Sequence, residues 1–113
     1  MIKIYHNNRC SKSRCSLEII EQSGKSFEVI KYLDDRLSKE ELDDIIKLLN
    51  IKPMDLVRKN EAIWKSDFKG KTLSDEQLVD AMVANPKLIE RPIVINKGKA
   101  VIGRPPELIL EII

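Results

Sequence analysis

The chain has 113 residues, a one-domain length, and its 42% apolar and 34% charged content is that of an ordinary folded globule. Twenty Lys and Arg against eighteen Asp and Glu leave a formal charge of +2, which excludes a strongly basic nucleic-acid surface. No apolar run reaches the ~20 residues of a membrane helix, the start Met1-Ile2-Lys3-Ile4-Tyr5 has no signal-peptide core, and Cys10 and Cys15 are too few and too close for a secreted disulfide framework.

The expectation is therefore one cytoplasmic domain over residues 1–113 carrying two thiols, a monomer by size, with no nucleic-acid or membrane partner. Ile2-Lys3-Ile4-Tyr5 alternates and runs into His6-Asn7-Asn8, which predicts a strand closed by a turn. From Ser11 the pattern becomes helical, with Leu17 and Ile20 sharing a face with Ser13 and Gly24 as the stop. Phe27-Glu28-Val29-Ile30-Lys31-Tyr32-Leu33 predicts a second strand, parallel to the first through a right-handed crossover.

A helical insert follows over about residues 38–86. Ser38-Lys39-Glu40-Glu41 is a capping box ahead of Leu42, Ile45, Ile46 and Leu49, with Asn50 as the end. Pro53 suits the first turn of a short helix over Met54, Leu56 and Val57. Ser74-Asp75-Glu76-Gln77 is a second capping box, followed by a stripe of Leu78, Met82 and Val83 that stops at Asn85-Pro86. Trp64 reads as packing. Ile93-Val94-Ile95, the turn Lys97-Gly98-Lys99 and Ala100-Val101-Ile102 predict a hairpin, and Pro105-Pro106-Glu107 opens a last helix through Leu108, Leu110 and Ile112. The order β-α-β, helical insert, β-β-α is an α/β arrangement that sets a parallel pair beside an antiparallel hairpin, a thioredoxin-like mixed sheet of four strands.

Cys10 is the most informative position. It falls in the turn after the first strand, at the start of the first helix, where ligand sites of parallel strands open. Unpaired N–H groups and partial positive charge at a helix N-terminus favour thiolates and bind oxyanions, and Arg9, Lys12 and Arg14 add cationic charge around it. The two readings are a nucleophile and a buried structural cysteine, and the strand–turn–helix context favours the first. Cys15 stands about 140° around the helix from Cys10, so it reads as a packing or partly exposed thiol, with a resolving role as the alternative. His6 is either an acid/base near Cys10 or a neutral side chain hydrogen-bonded to the turn; no partner carboxylate can be named. Arg58 ends the short helix, Arg91 precedes Pro92 and Arg104 follows the last strand. Their planar guanidinium forks suit tetrahedral oxyanions, although spacing alone does not assemble them into one site. With a single histidine, no His/Cys metal site is expected.

At these residues the chain resembles the arsenate reductases of the glutaredoxin-coupled type, in the thioredoxin-like superfamily. The segments that carry the resemblance are Tyr5-His6-Asn7-Asn8-Arg9-Cys10-Ser11-Lys12-Ser13-Arg14, Leu56-Val57-Arg58-Lys59-Asn60, Leu88-Ile89-Glu90-Arg91-Pro92-Ile93-Val94 and Gly103-Arg104-Pro105-Pro106-Glu107. They are collinear with the family over nearly the whole chain. The resemblance implies a catalytic Cys10, an oxyanion site of Arg58, Arg91 and Arg104, and supporting roles for His6, Ser13, Arg14 and Pro92, the last at the family's cis-proline junction. It further implies arsenate as substrate, glutathione as co-substrate with no bound cofactor, and glutaredoxin as partner. The turn departs from the family at Asn8, where Pro is usual, at Ser11-Lys12, where Gly-Thr is usual, and at Cys15, where Asn is usual. Two alternatives share the framework: a regulator resembling the Spx-type proteins that bind RNA polymerase, whose second redox cysteine is here Ser13, and a general glutathione-dependent thiol reductase.

Overall fold

A computed structural model describes all 113 residues, Met1–Ile113. In chain order the elements are β1 (Ile2–Tyr5), α1 (Ser11–Gln22), β2 (Phe27–Ile30), α2 (Lys39–Leu49), α3 (Pro53–Leu56), a π-helix (Trp64–Phe68), α4 (Asp75–Ala84), a 3₁₀ turn (Pro86–Leu88), β3 (Ile93–Asn96), β4 (Lys99–Ile102) and a 3₁₀ helix (Pro106–Glu111). They fall into two compact units, one of residues Met1–Asp35 with Arg91–Ile113 and one of Arg36–Glu90. No helix is long and apolar enough to cross a membrane.

The first unit holds a four-stranded sheet in the order β2-β1-β3-β4. β1 and β2 run parallel, with Ile4 opposite Val29; β1 and β3 run antiparallel, with Ile4 opposite Val94; β3 and β4 form the hairpin. This is the mixed thioredoxin-like sheet that the element order predicts. Alternation explains which face is covered: Ile2 and Ile4 are buried while Lys3 between them is exposed. With Ile20 of α1, Val94 and Ile109 they make the core, and Leu17, Phe27, Val29 and Val101 pack against it. Each such aliphatic side chain contributes about 1.5–3 kcal/mol of burial. The hairpin turn is narrower than expected. Lys97 and Gly98 both have positive φ, 51° and 74°, so two residues suffice, as in a type I′ turn, and Lys99 already belongs to β4.

Two further expectations for this unit are corrected. The second strand stops at Ile30, because its ladder partner β1 ends at Tyr5. Beyond it the N–H groups of Asp34 and Asp35 both donate to the Lys31 carbonyl, at 3.0 and 2.9 Å, so Tyr32 enters the core from a turn. The last helix is 3₁₀ and not α. Its three-residue period buries Pro106 and Ile109, whereas Leu110, expected on the apolar face, is 60% exposed.

In the helical unit both capping boxes are formed. The Ser38 hydroxyl accepts from the Glu41 N–H at 3.1 Å, and the Ser74 hydroxyl accepts from the Gln77 N–H at 3.1 Å. Leu42, Ile45 and Ile46 are buried on α2, which ends at Asn50 in a left-handed conformation (φ 55°). On α4 the buried set is Leu78, Val79, Ala81 and Met82, so Val79 and Ala81 take the place expected for Val83. Val57 leaves the short helix and forms an isolated antiparallel bridge with Ile89. The π-helix was not anticipated by any apolar period; there Trp64 is buried and stacks on Phe68 with ring centroids 5.7 Å apart.

Candidate functional site

The site begins where β1 runs out. His6 donates its N–H to the Ile30 carbonyl at 2.9 Å, the last rung beside the parallel pair, and the chain then turns through Asn7–Arg9 to Cys10. Asn7 closes that turn three ways. Its carbonyl accepts the Cys10 N–H at 3.0 Å, its side-chain oxygen accepts the Arg9 N–H at 3.0 Å, and its own N–H donates to the Ser13 hydroxyl at 3.0 Å. This is the local chemistry that suits Asn to turns. Arg14 reaches back from α1 and donates through Nη1 to the Asn8 carbonyl at 3.0 Å.

Cys10 is thereby set as the N-cap of α1, in extended conformation (φ −98°, ψ 122°). Its carbonyl accepts the Arg14 N–H at 3.0 Å, opening the helix. No acidic residue occupies the first turn, so the positive end of the helix is not offset there. Both cysteines are free thiols, Cys10 buried and Cys15 exposed. Cys15 lines a separate shallow groove of about 370 Å³ with Lys12, Glu18, Pro106 and Glu107.

His6 and Ser13 pair side by side, Nδ1 to Oγ at 2.6 Å, and both are buried. The His6 ring is pushed below its ordinary pKa of 6.5, first by burial and then by the positive charges of Lys31 and Arg14. It is thus a neutral ring bonded to Ser13 of the turn at pH 7.

Arg104 lies 94 residues from Cys10 in sequence, yet its Nη1 donates to the Cys10 sulfur at 3.8 Å. The same nitrogen donates to the main-chain carbonyl of Arg91 at 3.0 Å, so the segment before β3 holds the guanidinium that follows β4. Both Arg91-Pro92 and Arg104-Pro105 are cis peptide bonds. The two segments are drawn together by the Gly103 N–H, which donates to the Pro92 carbonyl at 2.9 Å. A side chain at Gly103 would put its Cβ 2.6 Å from Ser16 Oγ and 2.9 Å from Pro92 Cγ, so only glycine permits this approach.

The structure thus brings Cys10 together with the Arg104 guanidinium and the main-chain carbonyl of Arg91, with His6, Ser13 and Arg14 around the same turn and the Pro92 carbonyl bonded to Gly103 beside α1. Arg58 belongs to the helical unit. There its N–H donates to the Leu88 carbonyl at 2.7 Å, and its guanidinium donates to Glu61 through Nη1 and forms an ion pair with Glu90 at 3.6 Å from Nε. Sequence reasoning missed Asn7, Gly103 and the two carboxylates on Arg58. The Asn-Asn pair in a turn and the three-residue spacing of Arg58 and Glu61 were the available signals; nothing local marks Gly103 or Glu90.

A profile of the ArsC family matches residues 5–112. The protein YfgD of Escherichia coli K12, described as uncharacterized, is 46% identical over 99% of this chain and 96% of its own. An arsenate reductase of Haemophilus influenzae is 43% identical, with 97% of each chain covered. The solved arsenate reductase of Vibrio cholerae superposes with a TM-score of 0.95 at 45% identity, covering 99% of this chain and 97% of that one.

Proposed function

The chain belongs to the ArsC family, and from that premise we propose that it is an oxidoreductase that converts arsenate to arsenite, with Cys10 as nucleophile and glutathione and glutaredoxin as electron donors. The observation that carries this reading is the Arg104 guanidinium donating to the Cys10 sulfur at 3.8 Å, at the open N-terminus of α1. A nucleophile and a forked cation side by side suit attack on an oxyanion, because the same fork can hold the anion's oxygens against the sulfur.

In this reading the Cys10 sulfur attacks arsenic, forming an S–As bond while one arsenate oxygen leaves as water. Arg91 and Arg104 neutralise the remaining oxygens through paired N–H donors, and the family resemblance assigns Arg58 as a further oxyanion ligand. Glutathione condenses on the arsenic adduct, forming a second S–As bond as another arsenic oxygen leaves as water. The glutaredoxin thiolate then attacks the glutathione sulfur to form a mixed disulfide, leaving the electron pair of that S–As bond on arsenic; water hydrolyses the remaining Cys10–As(III) bond, releasing arsenite and the Cys10 thiol. Two thiols are oxidised to one disulfide while As(V) gains two electrons, so no bound cofactor is required. Pro92 marks the junction at which the thiol partner's backbone would dock.

The test is arsenite release from arsenate with and without glutathione and glutaredoxin. Turnover is expected only with both thiol components present and is abolished in Cys10→Ser. Normal turnover by Cys10→Ser would overturn the assignment.

A further inference from the structure

The Arg58 guanidinium is paired with two carboxylates, Glu61 at Nη1 and Glu90 at Nε. The side chains are 22%, 28% and 26% exposed, against 40% and 74% for the surface pair Lys39–Glu76, so solvent screens this trio less. The fold also builds it in. The Arg58 N–H donates to the Leu88 carbonyl at 2.7 Å and the Glu90 N–H to the Leu56 carbonyl at 2.8 Å, on either side of the Val57–Ile89 bridge, while the Glu61 N–H donates to the Arg58 carbonyl at 3.2 Å. These main-chain bonds set the backbones of Arg58, Glu61 and Glu90 side by side.

A tetrahedral oxyanion binds a guanidinium best across two adjacent nitrogens. Glu61 sits on Nη1 and Glu90 on Nε, and Nη2 carries neither carboxylate. An anion that takes the Nη1/Nη2 edge therefore meets the Glu61 carboxylate, while Glu90 can stay on Nε and keep the guanidinium plane oriented.

We propose that Glu61 is a positioning residue that sets oxyanion affinity, acting as an internal anion that competes for the Nη1/Nη2 edge of Arg58. The proposal rests on the reading of Arg58 as an oxyanion ligand. Glu61 holds the guanidinium when no anion is bound and yields it when one arrives, which weakens binding of any oxyanion.

The test measures binding of inorganic phosphate and of arsenate by calorimetry in the Cys10→Ser background, which cannot turn over, and KM and kcat for arsenate with Cys10 intact. Glu61→Gln is expected to tighten both anions about five-fold, the size of one partly screened charge pair. The change should appear in KM and not in kcat, and it should vanish in an Arg58→Gln background. Glu61→Asp, which keeps the charge on a shorter arm, should fall between Gln and the native residue. Weaker or unchanged anion binding in Glu61→Gln, with binding lost in Arg58→Gln, overturns the proposal alone. Unchanged binding in Arg58→Gln overturns the assignment of Arg58 as an oxyanion ligand, and the proposal with it.

Discussion

His6 shows how a titratable side chain can serve the turn without ionising at neutral pH. Its ring is buried, bonds Ser13 at 2.6 Å, and is held below pKa 6.5 by burial and by the charges of Lys31 and Arg14. Lowering the folded-state pKa of a base means that the unfolded chain takes up the proton more readily. Stability from this group is therefore complete above pH 6.5 and is lost as pH falls below it. The urea midpoint should decline as pH falls below 6.5, and His6→Asn, which can still accept from Ser13 but carries no proton, should flatten that part of the profile. An unchanged slope in His6→Asn would assign the decline to carboxylates instead. The neighbouring Asn7 has the wider reach: with three hydrogen bonds it fixes where Cys10 stands, and its role was open only to a reader who took Asn-Asn as an Asx turn and not merely as a break.

At the scale of elements, α1 meets the β4 exit with no room for a side chain at Gly103. Ser16 Oγ is buried with no hydrogen-bond partner, an arrangement that costs stability, and it lies where a Gly103 Cβ would go. Gly103→Ala should destabilise the fold by about 1–3 kcal/mol, as overpacking does, read from urea denaturation. Ser16→Ala removes the unpartnered hydroxyl and should be neutral or stabilising by about 1 kcal/mol. In the double variant part of the Gly103→Ala penalty should disappear, because the 2.6 Å neighbour is gone while Pro92 Cγ at 2.9 Å remains. Strictly additive effects would show that Pro92 alone sets the limit. Elements with a physical start signal were legible: Ser38 and Ser74 cap helices as their boxes require. The 3₁₀ helix at Pro106–Glu111 and the π-helix at Trp64–Phe68 were not, because an apolar pattern read with a 3.6-residue period places Leu110 inward, whereas a period of three exposes it.

For the molecule as a whole, the net charge of +2 hides an uneven distribution. The unit with Cys10 carries ten Lys and Arg against seven Asp and Glu, and the helical unit ten against eleven. The cationic excess thus lies in the unit that holds Cys10, which suits the anionic substrate proposed above. What composition and spacing could not supply was the pairing of Cys10 with Arg104 across 94 residues; only the resemblance to a family linked those positions, and the sheet order explains the meeting, since β1 and β4 flank β3. Arg104 then offers the sharpest test of the arsenate reading. Its Nη1 donates to both the Cys10 sulfur and the Arg91 carbonyl, which sets the guanidinium beside the thiol. Loss of a hydrogen bond to a charged group costs about 1.5–3 kcal/mol, so Arg104→Ala should lower kcat/KM for arsenate roughly 10- to 150-fold. Arg104→Lys keeps the charge but cannot span sulfur, carbonyl and anion from one point, so its activity should lie between that of Arg104→Ala and the native enzyme, with KM recovered more than kcat. Equal denaturation midpoints for the two variants would separate this from a folding effect. If instead Arg104→Ala retained kcat/KM within about two-fold, well short of the loss expected for one charged hydrogen bond, the Cys10–Arg104 contact would be a packing feature of the sheet edge and the oxyanion would have to be held elsewhere.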